Sequence, residues 1–364
     1  MATVESISVS AYAVPTDARE SDGSLEWDQT TLVLVEAMGD GKLGIGFTYA
    51  DTSTAHLIRQ KLANLVQGQD VMDVPNVWGS MVKATRNLGR PGITSMAISA
   101  VDAALWDLKA HLLGLPLCKL LGMVREHIPV YGSGGFTSYS VADLQKQLAT
   151  WSNQGMHWVK MKVGRDPDCD RQRIVAAREA IGDKTGLFAD ANGAYDRKQA
   201  LRIAEEFSQL GVTWFEEPVS SDDLEGLGFL RDRCPANLDI AAGEYGYELT
   251  YFRRMLEASA VDVLQADATR CGGITGFLKV GVLAEAHHLP ISCHCAPLLH
   301  LHPACALSRF RHAEYFHDHA RIEQMLFEGA MAPESGTLCP DLSRPGLGIE
   351  FKKQDAEKYK QKLG

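Results

Sequence analysis

The sequence is short of every feature that would place it on a membrane or a nucleic acid. No stretch reaches the roughly 18 uninterrupted apolar residues of a membrane span. The opening MATVESISVSAYAVP has no basic segment followed by an apolar one, so no secretory leader is expected. Lys and Arg together number 36 against 46 Asp and Glu, a formal net charge of −10, which argues against a nucleic-acid or anionic-membrane partner. The eight cysteines read as reduced thiols rather than a disulfide framework, and the expected location is the cytoplasm. The one close group, Cys293-His294-Cys295, finds no second CxxC or HxxxH pair to complete four ligands, so zinc is disfavoured. Neither GxGxxG nor a P-loop occurs, and the spacing of Gly132-Ser133-Gly134-Gly135 fits a turn rather than a nucleotide motif.

What is present is an ordinary folded composition, 45% hydrophobic and 23% charged, with ample material for a core. At 364 residues the chain suggests one large and one small domain, since a barrel alone can run to about 250 residues. Residues 5–14, 30–38 and 41–50 read as strands of an antiparallel meander, with Gly39-Asp40-Gly41 as the clearest turn. A helix is expected from Ile93 to Gly114, where Val101, Leu105, Leu108 and Leu112 share one face and Gly114 and Pro116 end it. Residues 1–125 therefore form a small α+β unit.

From about residue 128 the pattern changes to short apolar runs, each followed by an amphipathic helical segment, the alternation of a parallel sheet with crossover helices. Eight runs can be counted: IPVYGSGG, HWVKMKVG, GLFADANG, VTWFEEP, LDIAAGE, VDVLQADA, PISCHCAP and HAEYF. Eight such units suit a (β/α) barrel better than an open sheet.

Barrel active sites lie at the C-terminal ends of the strands. The residues closing the runs are Lys160 and Lys162, Asp190, Glu216 with Glu217, Glu244, Asp267, His294 and Glu314, and from Asp190 onward they lie 20 to 28 residues apart. That is one βα unit per step, so the groups should converge on one mouth. Asp190, Glu216 and Glu244 on successive strand ends would repel one another unless a cation sat between them, and oxygen-only ligands indicate a hard metal such as Mg²⁺. Lys160 and Lys162, two apart on a strand, point to one face, which leaves Val159, Met161 and Val163 for the helices. One cation beside another is expected to lower a lysine's pKa toward usefulness as a base. Asp267 and His294 end neighbouring strands, where the carboxylate can hold the imidazole in one tautomer and so make a second base. The remaining histidines, among them His287, His288, His300, His302, His317 and His319, lack such placement and read as structural.

Taken in order, Lys160-Met161-Lys162, Asp190-Ala191-Asn192, Phe215-Glu216-Glu217-Pro218, Gly243-Glu244, Asp267 with Arg270 and Gly272-Gly273, His294, Glu314 and the helical Ala104-Leu105-Trp106-Asp107-Leu108-Lys109 closely resemble the mandelate racemase branch of the enolase superfamily. The resemblance spans essentially the whole chain. It implies a modified TIM barrel, (β/α)7β, over residues 126–324, capped by the α+β unit of residues 1–125, with residues 325–364 returning to that cap. It also implies Mg²⁺ on Asp190, Glu216 and Glu244, with Lys162 as the base on one face, Lys160 tuning it, and His294 with Asp267 serving the other. Glu314 matches a position that hydrogen-bonds the substrate carboxylate, and Asn192 a polar contact beside the metal. The segment Thr16 to Thr30 resembles a mobile capping loop, from which Trp27 or Arg19 could close over substrate.

Arg270 departs from the pattern, since mandelate racemase has a lysine there, and this counts against cycloisomerases and epimerases that need a lysine on that strand. The expected reaction is α-proton abstraction from a small carboxylate through an enediolate. The favoured outcome is dehydration of a sugar acid to a 2-keto-3-deoxy acid, with racemisation or epimerisation of an α-hydroxy acid as the alternative. A non-catalytic protein on the same scaffold is the remaining rival. The resemblance further implies a homo-oligomer, a dimer or an octamer; no partner protein is indicated.

Overall fold

The computed structural model describes residues 2–363. Three antiparallel strands, β1 (Ser6–Ser21), β2 (Glu26–Gly39) and β3 (Lys42–Tyr49), form the cap sheet in that order. The run Leu32 to Val35 at the heart of β2 is buried on both faces, as a central strand between a helical layer and the barrel requires. Asp40 and Gly41, both at positive φ (46° and 68°), make the two-residue turn whose twist matches the flanking strands. The helix Ile93–Leu113, ended by Gly114 at φ 65°, lies against β3. A Cβ at Gly44 or Gly46 would stand 2.3 Å from Ala104 O or 2.2 Å from Ala100 O, so glycine alone allows this contact.

The Thr16–Thr30 segment is not an open loop. Pro15 brings no N–H to the ladder, and the β1–β2 register shifts between Pro15 and Glu20, but pairing resumes at Glu20↔Trp27 and Ser21↔Glu26. Asp22 closes the hairpin by accepting from the amides of Ser24 and Leu25, both at 2.6 Å. The tip seats on the barrel mouth so closely that a Cβ at Gly23 would lie 2.3 Å from Ala191 O.

The eight apolar runs are eight parallel strands: β4 (Ile128–Gly134), β5 (Trp158–Lys162), β6 (Gly186–Asp190), β7 (Val212–Glu216), β8 (Asp239–Ala242), β9 (Val263–Ala266), β10 (Ile291–Cys293) and β11 (Phe310–Phe316). They are hydrogen-bonded in sequence order, and β11 closes onto β4. Alternation on β5 sends Val159, Met161 and Val163 into the layer shared with the helices, and leaves Lys160 and Lys162 for the interior. The floor of that interior is aromatic: Tyr131, Phe188 and Trp214 pack together with Ala241 and Val263. Beyond the helix His317–Leu326 the chain returns to the cap. There Lys353 Nζ pairs with Glu36 at 2.7 Å and the Gln361 amide donates to Ala11 O at 2.8 Å. No helix among the described residues is long and apolar enough to cross a membrane.

Candidate active site

Parallel register sets the site's first neighbours, because Lys162 is the cross-strand partner of Asp190, and Asp190 of Glu216. Glu244 follows β8 by two residues, while Asp267 and His294 each follow their strands by one. The chain bends sharply just past these positions: Asn192, Glu217, Cys295 and Ala296 all take positive φ, from 38° to 50°. Four non-glycine residues in this sparsely populated region at one mouth mark strain concentrated at a functional site.

Asp190, Glu216 and Glu244 are buried, and each brings an oxygen within 4.8 Å of the others. Two lysines answer them. Lys160 Nζ reaches Glu216 at 2.7 Å, Glu314 at 2.7 Å and Asp190 at 3.2 Å, while Lys162 Nζ reaches Asp190 at 2.5 Å. Burial pushes the Asp190 carboxyl up, but Lys162 and Lys160 outweigh it and hold the group below its usual range. Glu216 goes the other way: burial and the adjacent Asp190 push it well up. Glu217, equally buried, is pushed well up by burial and by Glu244. The site holds more buried carboxylates than its lysines can neutralise.

The expected lowering of the lysine pKa values does not occur among the protein groups. Burial and the charge of Lys160 both work against protonated Lys162, but Asp190 outweighs them and holds the ammonium well above its ordinary value. Lys160 is likewise held up, burial being overcome by Glu216 and Glu314.

On the opposite side, His294 Nδ1 lies 2.8 Å from Asp267 Oδ2. Its Nε2 is 3.3 Å from Glu244 Oε2 and 3.1 Å from Cys295 Sγ. Burial would raise the Asp267 carboxyl, but the hydrogen bond from His294 and the positive groups around it hold Asp267 well below its usual range. Arg270 occupies the gap between the acids. It donates to Glu244 O at 3.1 Å and lies 3.7 Å from Glu244 Oε1 and 3.6 Å from Asp267 Oδ2.

A cleft of about 360 Å³ opens above these groups, lined at its base by Lys162, Asn192, Glu244, Arg270 and His294. The cap supplies the opposite wall, including Trp27, whose indole donates to Glu20 at 2.9 Å and meets Phe136 edge-on at 5.7 Å. Arg19 is not brought to the cleft. Its side chain is 77% exposed and pairs with Glu26 on the outer side of the hairpin, because Arg19 precedes the point at which the ladder resumes. Glu314 also stays below the cleft. It sits two residues short of the end of β11, with Oε1 accepting from Ser133 at 2.6 Å and Oε2 from the Cys295 amide at 2.8 Å.

Two groups that line the cleft had no signal in the sequence. Tyr49, at the end of β3, stacks on His319 at 3.5 Å between centroids, and both reach the cleft wall. His319 is therefore more than a distant packing residue. His300 and His302 are structural: His300 Nε2 accepts from the Ala268 amide at 2.7 Å and His302 Nδ1 from the Cys118 amide at 3.1 Å.

Comparison with known proteins gives this geometry a family. Residues 143–356 match the family described as Enolase C-terminal domain-like, and residues 18–122 match the Mandelate racemase / muconate lactonizing enzyme, N-terminal domain. The chain belongs to the mandelate racemase / muconate lactonizing enzyme family. Within that family, an L-talarate/galactarate dehydratase from Salmonella typhimurium is 35% identical over 326 residues, covering 86% of this chain and 79% of the relative. The crystal structure of a mandelate racemase/muconate lactonizing enzyme-like protein from Rubrobacter xylanophilus superposes with TM-score 0.97 at 54% identity, over 99% of this chain and all of that one. A racemase from Streptomyces coelicolor, solved with bound magnesium, superposes with TM-score 0.93 at 30% identity over 98% of this chain and all of the other.

Proposed function

We propose that the protein is a Mg²⁺-dependent sugar-acid dehydratase, which removes the α-proton of a carboxylate substrate and expels the β-hydroxyl to leave a 2-keto-3-deoxy acid. The observation that carries this reading is the placement of two proton-transfer groups at opposite ends of one carboxylate trio. Lys162 stands against Asp190 and His294 against Glu244, and both line the same cleft.

The donor set fits a hard divalent cation. It is all oxygen and buried, and it includes Glu244 Oε2, which receives no hydrogen bond and has only the His294 ring nitrogen at 3.3 Å; Glu217 Oε1 is also without a hydrogen bond. When bound by Asp190, Glu216 and Glu244, Mg²⁺ supplies positive charge to the substrate carboxylate as the enediolate forms. Asn192 Oδ1, buried at the cleft and without a partner, is free to accept a substrate hydroxyl.

Lys162 Nζ takes the α-proton. It can be neutral beforehand only if the charge of Asp190 is engaged elsewhere, since Asp190 is what holds Lys162 protonated. His294, with Nδ1 held by Asp267, presents Nε2 to the cleft and protonates the departing β-hydroxyl, which leaves as water. Asp267 fixes the ring's tautomer and orientation. Lys160, fully buried below, contacts no substrate and acts by holding Glu216 and Glu314 in place.

The same two groups could instead return the proton to the opposite face, and the likeness to a racemase keeps epimerisation as the second reading. Lys162→Ala and His294→Asn distinguish the roles. Each should reduce product formation by about 10²-fold or more and leave the folded structure intact by circular dichroism. Full turnover in either variant refutes the role given to that residue.

A further inference from the structure

The far wall of the cleft has a charge pattern that bears on which sugar acids can enter. Besides apolar Leu25 and Ala50 and the indole of Trp27, the cap lines the cleft with six polar residues, Asp22, Gln29, Thr30, Thr31, Tyr49 and Asp51. Two are carboxylates and four are neutral hydrogen-bonding groups. The cations that line the cleft among the described residues are Lys162 and Arg270, and both are committed at the catalytic end: Lys162 to Asp190, and Arg270 to Glu244 and Asp267. Arg19 and Arg165, the nearest candidates on the hairpin side, both engage Glu26 and do not line the cleft. His319 adds no charge, since burial pushes its imidazole down to about 3.

Each cap carboxylate already accepts from its own turn, Asp22 from the Ser24 and Leu25 amides and Asp51 from the Ser53 amide and hydroxyl, so both leave negative charge on the cap side of the lining without a cation against it. A polyhydroxyl tail is well served there, because carboxylate, amide and hydroxyl oxygens all accept from substrate hydroxyls. A second carboxylate would face like charge with no uncommitted cation to answer it. The volume of about 360 Å³ lies at the small end of ligand sites and suits a single small acid.

We propose that the cleft selects aldonates, sugar acids with one carboxylate and an uncharged polyhydroxyl tail, and rejects aldarates, which carry a carboxylate at each end. The inference rests on the sugar-acid reading above. It separates this chain from the relative named for talarate and galactarate, which are acids of the two-carboxylate class. Gln29, on the cap wall, and Asp51 are the specificity-determining positions.

The test is a panel of five- and six-carbon aldonates, each paired with the aldarate of the same configuration. The Mg²⁺-loaded protein is assayed for kcat/KM, for exchange of the C2 proton in D₂O, and for binding by titration calorimetry. Aldonates should exceed their paired aldarates by about ten-fold or more in kcat/KM or, where no product forms, in exchange rate. Gln29→Arg, which adds a cation to the far wall, should narrow that ratio by raising the aldarate rate.

Equal or faster reaction of aldarates in the parent protein overturns the proposal, and an unchanged ratio in Gln29→Arg overturns its electrostatic basis. Aldonate-selective exchange without a keto-deoxy product supports the proposal while refuting dehydration. Neither exchange nor Mg²⁺-dependent binding for any aldonate overturns both.

Discussion

Lys160→Met isolates the electrostatic framework beneath the site. The substitution keeps an unbranched side chain of similar length but removes the cation shared by Glu216 and Glu314, each at 2.7 Å, and Asp190 at 3.2 Å, all fully buried. Breaking a buried ion pair by removing one partner costs about 3–5 kcal/mol, most of it from the charge left stranded. With an unfolding entropy of about 2.1 cal/mol/K per residue, a chain of this length has about 0.76 kcal/mol/K in all, so Tm should fall by about 4–7 °C. The sign of the pH dependence follows from the same stranding. Without Lys160 the folded-state pKa values of all three carboxylates move upward: Asp190 and Glu314 from their depressed positions and Glu216 further above its usual range. The variant's deficit relative to the parent is therefore smallest at low pH and grows as pH rises through the shifted pKa values. Scanning calorimetry of parent and variant at about pH 5 and about pH 8 should show the larger deficit at the higher pH. A Tm within about 1 °C of the parent at pH 8, or a deficit that grows toward acid, would refute the reasoning.

Other parts of the molecule make independent predictions. Glu20 is buried under the hairpin, and burial, reinforced by Asp318, pushes its carboxyl up to about 8. The folded protein thus keeps a proton that the unfolded chain loses, and its stability falls between the usual carboxylate range and pH 8. Glu20→Gln should match the parent in Tm near pH 5 and exceed it near pH 9, and equal curves at both would count against the assignment. Gly46→Ala forces a Cβ to within 2.2 Å of Ala100 O and 2.4 Å of Ala104 N. This overpacking should cost about 1–3 kcal/mol in denaturant midpoint analysis, with kcat of the folded fraction unchanged, because the contact is remote from the cleft.

The barrel was legible because every strand is a short apolar run bounded by turn residues, and because buried parallel strands must expose their polar ends at one rim. Asp190, Glu216, Glu244, Asp267 and His294 could be placed together from spacing alone, since each closes a run. Glu314 looked equivalent but lies within β11, and its oxygens are taken by Ser133, Lys160 and the Cys295 amide. Strand-end logic resolves position only to a residue or two, and here that difference separates the cleft from its floor. The Thr16–Thr30 segment does cap the cleft, through Trp27, but its strand pairing was not legible because the pattern is interrupted by Pro15 and polar residues. Pairing beyond the register shift is sustained instead by the Asp22 turn and the seating of Gly23 on the barrel. The lysines show a different limit: two adjacent cations suggest mutual depression, but the sign is decided by carboxylates brought in from other strands. Tyr49 and His319 are joined only by docking of cap on barrel, a contact with no local trace in sequence.

The central claim, that Lys162 and His294 act around a Mg²⁺ held by Asp190, Glu216 and Glu244 to dehydrate a sugar acid, is tested most directly by proton NMR in D₂O. The protein is incubated with Mg²⁺ and each sugar acid, with smaller α-hydroxy acids alongside. The account predicts disappearance of a sugar acid and growth of a 2-keto-3-deoxy acid whose new methylene carries solvent deuterium. Loss of the α-proton signal with an epimer accumulating and no methylene would contradict dehydration, and inertness of every acid toward exchange would contradict the site itself.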